Sequence, residues 1–246
     1  AQHGRVFGSH AGAFVTQEGG KTWTPEEAPG DVNAYSRRDG LACLTLNAPG
    51  YWRRQGILCF RADDLKRGVF REKTRTGRIF HGQDAQVVGP ETAWVTTDTA
   101  IFRTTDGGKD WTAVEVGETR RGSTVVNGIV SSYFLDQDRG WLALEDGTLT
   151  VTRDGGQRRE AVSAAGLEGW RVVRLHFLDQ ERGVALASSL SVDDAALLVT
   201  QDGGRSWQVK QQLGDHGWSE LFVLDEAHAW VAGADRGVVV LAATPF

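Results

Sequence analysis

One short box recurs four times along the chain: Thr16-Gln-Glu18-Gly-Gly20-Lys-Thr-Trp23, Thr104-Thr-Asp106-Gly-Gly108-Lys-Asp-Trp111, Thr152-Arg-Asp154-Gly-Gly156-Gln-Arg-Arg159 and Thr200-Gln-Asp202-Gly-Gly204-Arg-Ser-Trp207. Its acidic positions step by 88, 48 and 48 residues. A box returning at such a period marks a row of supersecondary units, each too small to bury its own apolar face. The 88-residue step is twice about 44 and predicts a worn copy near position 62. Phe60-Arg-Ala-Asp63-Asp-Leu-Lys-Arg67 fits, keeping the acid and losing the glycines and the tryptophan.

Each box reads as a turn between two strands. A carboxylate accepts hydrogen bonds from N–H groups just ahead of it, and glycine supplies positive φ. The threonine two residues earlier can bond within the same turn, and the tryptophan five residues on can pack back over it. Glu18, Asp63, Asp106, Asp154 and Asp202, with Trp23, Trp111 and Trp207, are therefore expected to be structural. The first box carries Glu18 for Asp and the third Arg159 for Trp.

A second pattern precedes the boxes: Phe134-Leu-Asp136-Gln-Asp-Arg-Gly140-Trp141, Phe177-Leu-Asp179-Gln-Glu-Arg-Gly183-Val184 and Phe222-Val-Leu-Asp225-Glu-Ala-His-Ala-Trp230. Each unit then holds four short runs. One ends near the Asp, a second starts at the Gly-Trp, a third runs into the box and a fourth leaves it. Regular β-rich runs divided by Gly and Asp turns predict propeller blades.

The box resembles the Asp-box, or BNR repeat, of β-propellers such as sialidases and sortilin-type receptors, where it is a peripheral structural turn. The longer unit resembles the photosystem II stability/assembly factor family over nearly the whole chain, from about Val6 to Leu241. The resemblance implies an all-β propeller in a single domain, residues 1–246, of about six four-stranded blades (alternative: seven). The first unit begins at its second strand and the last stops before any box. The resemblance also implies a protein that grips a partner polypeptide with a basic arginine patch.

Composition excludes several classes. No run of 18 apolar residues exists, so no transmembrane segment is expected. A chain opening at Ala1 fits a mature exported protein, periplasmic, lumenal or extracellular. Cys43 and Cys59 fall in two runs of the second unit that pair symmetrically about Tyr51. They face each other as a cross-strand disulfide, fitting an oxidising compartment, or as two buried thiols. No Arg-Ile-Pro motif, nucleophile elbow or glycine-rich phosphate loop occurs, and Tyr133 reads as core. The six histidines lack metal spacing, and His176 reads as structural. We therefore expect no catalytic residues, no metal and no cofactor.

Charge is more informative. Residues 31–80 hold eleven Arg and Lys against five Asp and Glu, a net of +6 in a chain whose formal charge is −5. The overall sign argues against nucleic-acid binding, and the asymmetry predicts a basic sector. In the up-and-down topology the boxes emerge at one end of the sheets. The other, box-free end receives Trp52, Arg53 and Arg54, then Arg75 and Arg78, Arg120 and Arg121, and Trp170 and Trp218. Arginine beside aromatics is the composition of a protein-binding hot spot. The expected function is a monomeric, non-enzymatic protein-binding scaffold, an assembly or stability factor or a peripheral subunit of a membrane protein complex. The alternative is a carbohydrate-active propeller, hydrolase or glycan binder, using its central funnel.

Overall fold

The computed structural model describes residues 4–8, 12–18, 21–26, 31–47, 56–61, 84–116, 118–120, 124–214, 217–226, 228–233 and 237–242. The chain divides into two compact units, Ala1–Glu115 and Val116–Phe246. All the regular structure described is β, in antiparallel sheets whose strands follow chain order.

The first unit contains three sheets. β1 (Gly4–Gly8), β2 (Gly12–Thr16) and β3 (Thr24–Glu26) form one, with the first box joining β2 to β3. β4 (Asp31–Arg38), β5 (Leu41–Asn47) and β6 (Gly56–Arg61) form the next. The worn box at Asp63 lies outside the described residues. β7 (Asp84–Val87), β8 (Ala93–Thr96), β9 (Ala100–Thr104) and β10 (Thr112–Glu115) form the third, with the second box between β9 and β10. The β5–β6 register places Cys43 opposite Cys59, and a disulfide joins them.

The second unit opens with a hairpin, β11 (Glu118–Arg120) and β12 (Thr124–Val126). Two four-stranded sheets follow: β13 (Ile129–Phe134), β14 (Gly140–Leu144), β15 (Leu149–Thr152), β16 (Glu160–Val162); and β17 (Trp170–Phe177), β18 (Gly183–Ser189), β19 (Ala195–Thr200), β20 (Gln208–Gly214). β21 (Trp218–Asp225), β22 (His228–Gly233) and β23 (Gly237–Ala242) form the last.

Burial explains the composition of the strands. β15, inside its sheet, is buried along its whole length, and so is β14 up to its last residue, Leu144. Both faces of such a strand need apolar or small side chains. β20, at the outer edge, is exposed along almost its whole length and reads Gln-Val-Lys-Gln-Gln. Polar and charged side chains blunt a free edge against pairing with another chain. Apolar clusters fill the space between consecutive sheets, one around Trp141, Phe177 and Trp207, the next around Val184, Leu197 and Val231. Trp141 stacks on Phe177 at 3.7 Å, and Trp207 meets the same ring edge-on at 6.1 Å.

The Gly of each Gly-Trp step has a packing cause. Gly140 lies opposite Phe134 and Gly183 opposite Phe177 in the strand register. A Cβ on either glycine would collide with the phenylalanine ring it faces. In the last sheet Val223 replaces the phenylalanine and Ala229 replaces the glycine. The smaller side chain leaves room for one methyl group.

The boxes share one geometry. In the fourth, the buried Thr200 hydroxyl accepts from the Gly204 N–H at 2.9 Å and donates to Asp202 Oδ1 at 2.9 Å. Asp202 in turn accepts from the Ser206 N–H at 2.8 Å and from its hydroxyl at 2.6 Å. Thr104 with Asp106 and Thr152 with Asp154 repeat the pattern. Burial alone would raise the pKa of Asp202, but the bonds from Ser206 and Thr200 outweigh it and hold the carboxyl below its ordinary value.

The first glycine ties the box to the turn between the first two strands of its own sheet. Gly107 donates to Glu91 O at 2.9 Å, Gly155 to Asp138 O at 2.8 Å and Gly203 to Glu181 O at 2.8 Å. The second glycine has positive φ and sits against the preceding sheet. A Cβ on Gly108 would lie 2.6 Å from Cys59 Cβ, and one on Gly204 2.9 Å from Leu149 Cδ2.

Two boxes depart from the expected pattern. Trp207 is buried and its Nε1 donates to Gly204 O at 3.0 Å. In the third box Arg159 Nη1 donates to the equivalent carbonyl, Gly156 O, at 3.2 Å, so arginine there supplies the donor that Trp207 supplies in the fourth, while Trp111 Nε1 in the second is buried without a hydrogen-bond partner. Trp23 of the first box is 41% exposed and does not close over its turn as Trp207 does. There Thr22 donates its hydroxyl to the longer Glu18 carboxylate.

Tyr133 and His176, on adjacent first strands of the second unit, meet with ring centroids 4.5 Å apart and planes tilted by 45°, with 3.4 Å between the hydroxyl and Nε2. Burial lowers the His176 pKa to about 4, so the ring is neutral at neutral pH.

Two predictions follow from this packing. Gly147 and Gly204 both have positive φ, but a Cβ on Gly147 meets nothing. Gly147→Ala is expected to cost about 1–2 kcal/mol for the left-handed backbone alone, and Gly204→Ala about 1–3 kcal/mol more for overpacking Leu149, measured by urea unfolding. For His176, the unfolded ring takes up a proton below its ordinary pKa of 6.5 while the folded ring resists protonation down to about 4. Stability is therefore fully present above 6.5 and declines as pH falls towards 4. His176→Phe is expected to flatten that decline in urea midpoints, and an unchanged slope would refute the assignment.

Candidate functional site

In the second unit the box turns and the turns they hold, 135–139 and 178–182, lie at one end of the sheets. The opposite end is formed by the connections 145–148, 163–169 and 190–194 and by the first residues of β17 and β21. Both tryptophans placed there by sequence reasoning are on it. Trp170 opens β17, half-buried against the cluster around Phe177, and its N–H donates to Leu167 O at 2.9 Å. Trp218 opens β21, half-buried against the next cluster. Each ring thus has one side in the core and part of its surface free.

Beside Trp170 stands a feature the sequence reading missed. The β18–β19 connection carries Leu190, 68% exposed, and Val192, 61% exposed. Its backbone is tightly held. Leu190 N–H donates to Gly169 O and Ser189 N–H to Asp194 O, both at 2.9 Å, while Ser189 Oγ accepts from the N–H groups of Ser191 and Val192 at 3.3 Å. Two branched apolar side chains are therefore presented to solvent by an ordered turn docked on the residue before Trp170. The signal was available in Ser189-Leu-Ser-Val-Asp-Asp194, where apolar residues sit inside a polar connection. Arg171, the residue after Trp170, is exposed.

Of the other residues assigned to this end from sequence, Trp52, Arg53, Arg54, Arg75, Arg78 and Arg121 lie outside the described residues. Arg120 ends β11, and its side chain is not among those described. Arg37 and Arg38 end β4, and both are exposed. Among the described residues no group of three or more His, Cys, Asp and Glu is placed to hold a metal ion, and no helix is long and apolar enough to cross a membrane. The box carboxylates are committed to their own turns.

No protein-family model and no curated protein sequence matches the chain. Solved structures do. The chain is similar to YCF48 bound to D1 peptide, with 17% identity, a TM-score of 0.52, and 99% of this chain and 88% of that one covered. It is similar to YCF48 from Cyanidioschyzon merolae at 16% identity and TM-score 0.54, covering 98% and 91%. It is also similar to BamB from Moraxella catarrhalis at 15% identity and TM-score 0.55, covering 100% and 84%. Likeness at these identities speaks to the fold: the chain is an all-β propeller of about six blades.

Proposed function

We propose that this propeller is a non-enzymatic protein-binding scaffold, an assembly or stability factor or a peripheral subunit of a membrane protein complex, akin to the photosystem II stability/assembly factor family its repeat resembles. The observation that carries this reading is the ordered apolar turn of Leu190 and Val192 beside the half-buried Trp170. Apolar side chains held in solvent by a fixed backbone lose little entropy when a partner covers them, and an anchored tryptophan is a favoured hot-spot residue. The likeness to a YCF48 structure solved with a D1 peptide supports a polypeptide as the partner.

The basic segment 31–80 would raise the encounter rate with an acidic partner surface, and the box-free end would then dock. The Cys43–Cys59 bond supports an exported protein working in an oxidising compartment.

Crosslinking in native membranes followed by affinity capture tests the proposal. A defined membrane-complex subunit is expected to crosslink near residues 169–192. Its recovery should fall about tenfold for Leu190→Asp/Val192→Asp, and should become less dependent on salt for Arg53→Glu/Arg54→Glu, with melting temperatures unchanged. Undiminished recovery in both variants would refute the docking end. Turnover of a glycan by the wild-type protein would establish the carbohydrate-active alternative instead.

A further inference from the structure

Two neighbouring sheets carry nearly the same turn between their first and second strands, Leu135-Asp-Gln-Asp-Arg139 and Leu178-Asp-Gln-Glu-Arg182, and the next sheet begins it with Leu224-Asp-Glu226. Arg182 is fully engaged. Its Nε donates to Asp179 Oδ2 at 2.7 Å, and its Nη1 pairs with Glu226 of the following sheet. Gln180 occupies, one sheet earlier, the turn position of Glu226. Arg139, the counterpart of Arg182, therefore has a neutral amide where its neighbour has a carboxylate. Its Nη1 is buried without a hydrogen-bond partner, and among the described residues no carboxylate pairs with it.

Arg139 and Gln180 both line a cavity of about 370 Å³, within the size range of small-molecule sites. Trp141, Val151 and Val162 give it an apolar wall. Its other charged groups are mostly committed: Arg153 is held by Glu160 at 2.7 Å, Arg205 donates to Asp202 O at 2.9 Å, and the Asp202 carboxylate serves its own box. Glu181 adds one further negative charge to the lining, which disfavours a polyanion. Arg139 is half-buried; a guanidinium with one buried N–H group left unpartnered is costly and is relieved by a carboxylate that meets it edge-on with two parallel bonds.

We propose that this cavity is a carboxylate-binding site. The ligand's carboxylate takes the place beside Arg139 that Glu226 takes beside Arg182, and a short apolar stem rests on Trp141, Val151 and Val162. The carboxylate belongs either to a free short-chain acid or to a polypeptide. The site lies at the box end, away from the apolar turn of Leu190, and does not depend on the partner reading.

Calorimetric titration of the whole protein tests this with two pairs of probes: butyrate against butyramide, and an acetylated pentapeptide with a free C-terminal carboxylate against its amide. Wild type is expected to bind a carboxylate probe and not its amide. Arg139→Gln should weaken that binding at least tenfold. Gln180→Glu should weaken it equally while raising Tm, because the internal ion pair is then rebuilt. Butyrate binding assigns a free acid; binding of the peptide alone assigns a polypeptide carboxylate. No binding of either acid, equal binding of an amide, or unaltered binding in both variants would overturn the proposal.

Discussion

The fold rests on a hydroxyl and a carboxylate, two residues apart, closing a turn of backbone N–H groups. Thr104, Thr152 and Thr200 are almost fully buried, and a buried hydroxyl without partners would be strongly unfavourable. Each is satisfied from both sides, by a glycine N–H and by the acidic side chain. The charge that makes this work stays at the rim of the turn, where several donors converge on one oxygen pair. Asparagine could accept only at its single carbonyl oxygen, and glutamate, as at position 18, keeps the bond to the hydroxyl four residues on that Asp202 makes to Ser206.

Once the turn is closed, its second glycine becomes a contact surface. Gly108 lies on Cys59 and Gly204 on Leu149, so a local motif also sets how closely one sheet approaches the one before it. The same economy of volume governs the other half of each unit, where Phe–Gly pairs give way to Val–Ala in the last sheet. Interiors packed to crystalline density respond to a single methyl group, and compensation at facing positions is how repeats diverge without opening voids.

Much of the architecture was legible because the repeat is written in residues with few alternative uses. The strand pairing, the box between third and fourth strands and the facing of Cys43 and Cys59 all follow from spacing. The role of Arg159 was not legible, because a motif predicts its usual donor and not another side chain that reaches the same carbonyl. The candidate site was half legible. Trp170 and Trp218 were placed correctly at the box-free end, yet Leu190 and Val192 went unnoticed, since their exposure depends on hydrogen bonds from Ser189 and Gly169 that no periodicity encodes. The open position beside Arg139 needed both the sequence repeat and the geometry. Gln180 is unremarkable until Glu226 is seen gripping Arg182.

The bond from the first box glycine to the inner turn has a mechanical consequence. It fastens the corner between the two outer strands to the corner between the two inner ones. An outer strand such as β16 or β20 cannot fray from its edge without also loosening the turn that orders the start of β14 or β18. In these three sheets the opening of the edge is thereby coupled to the inner turn, which favours concerted over piecemeal loss of the sheet.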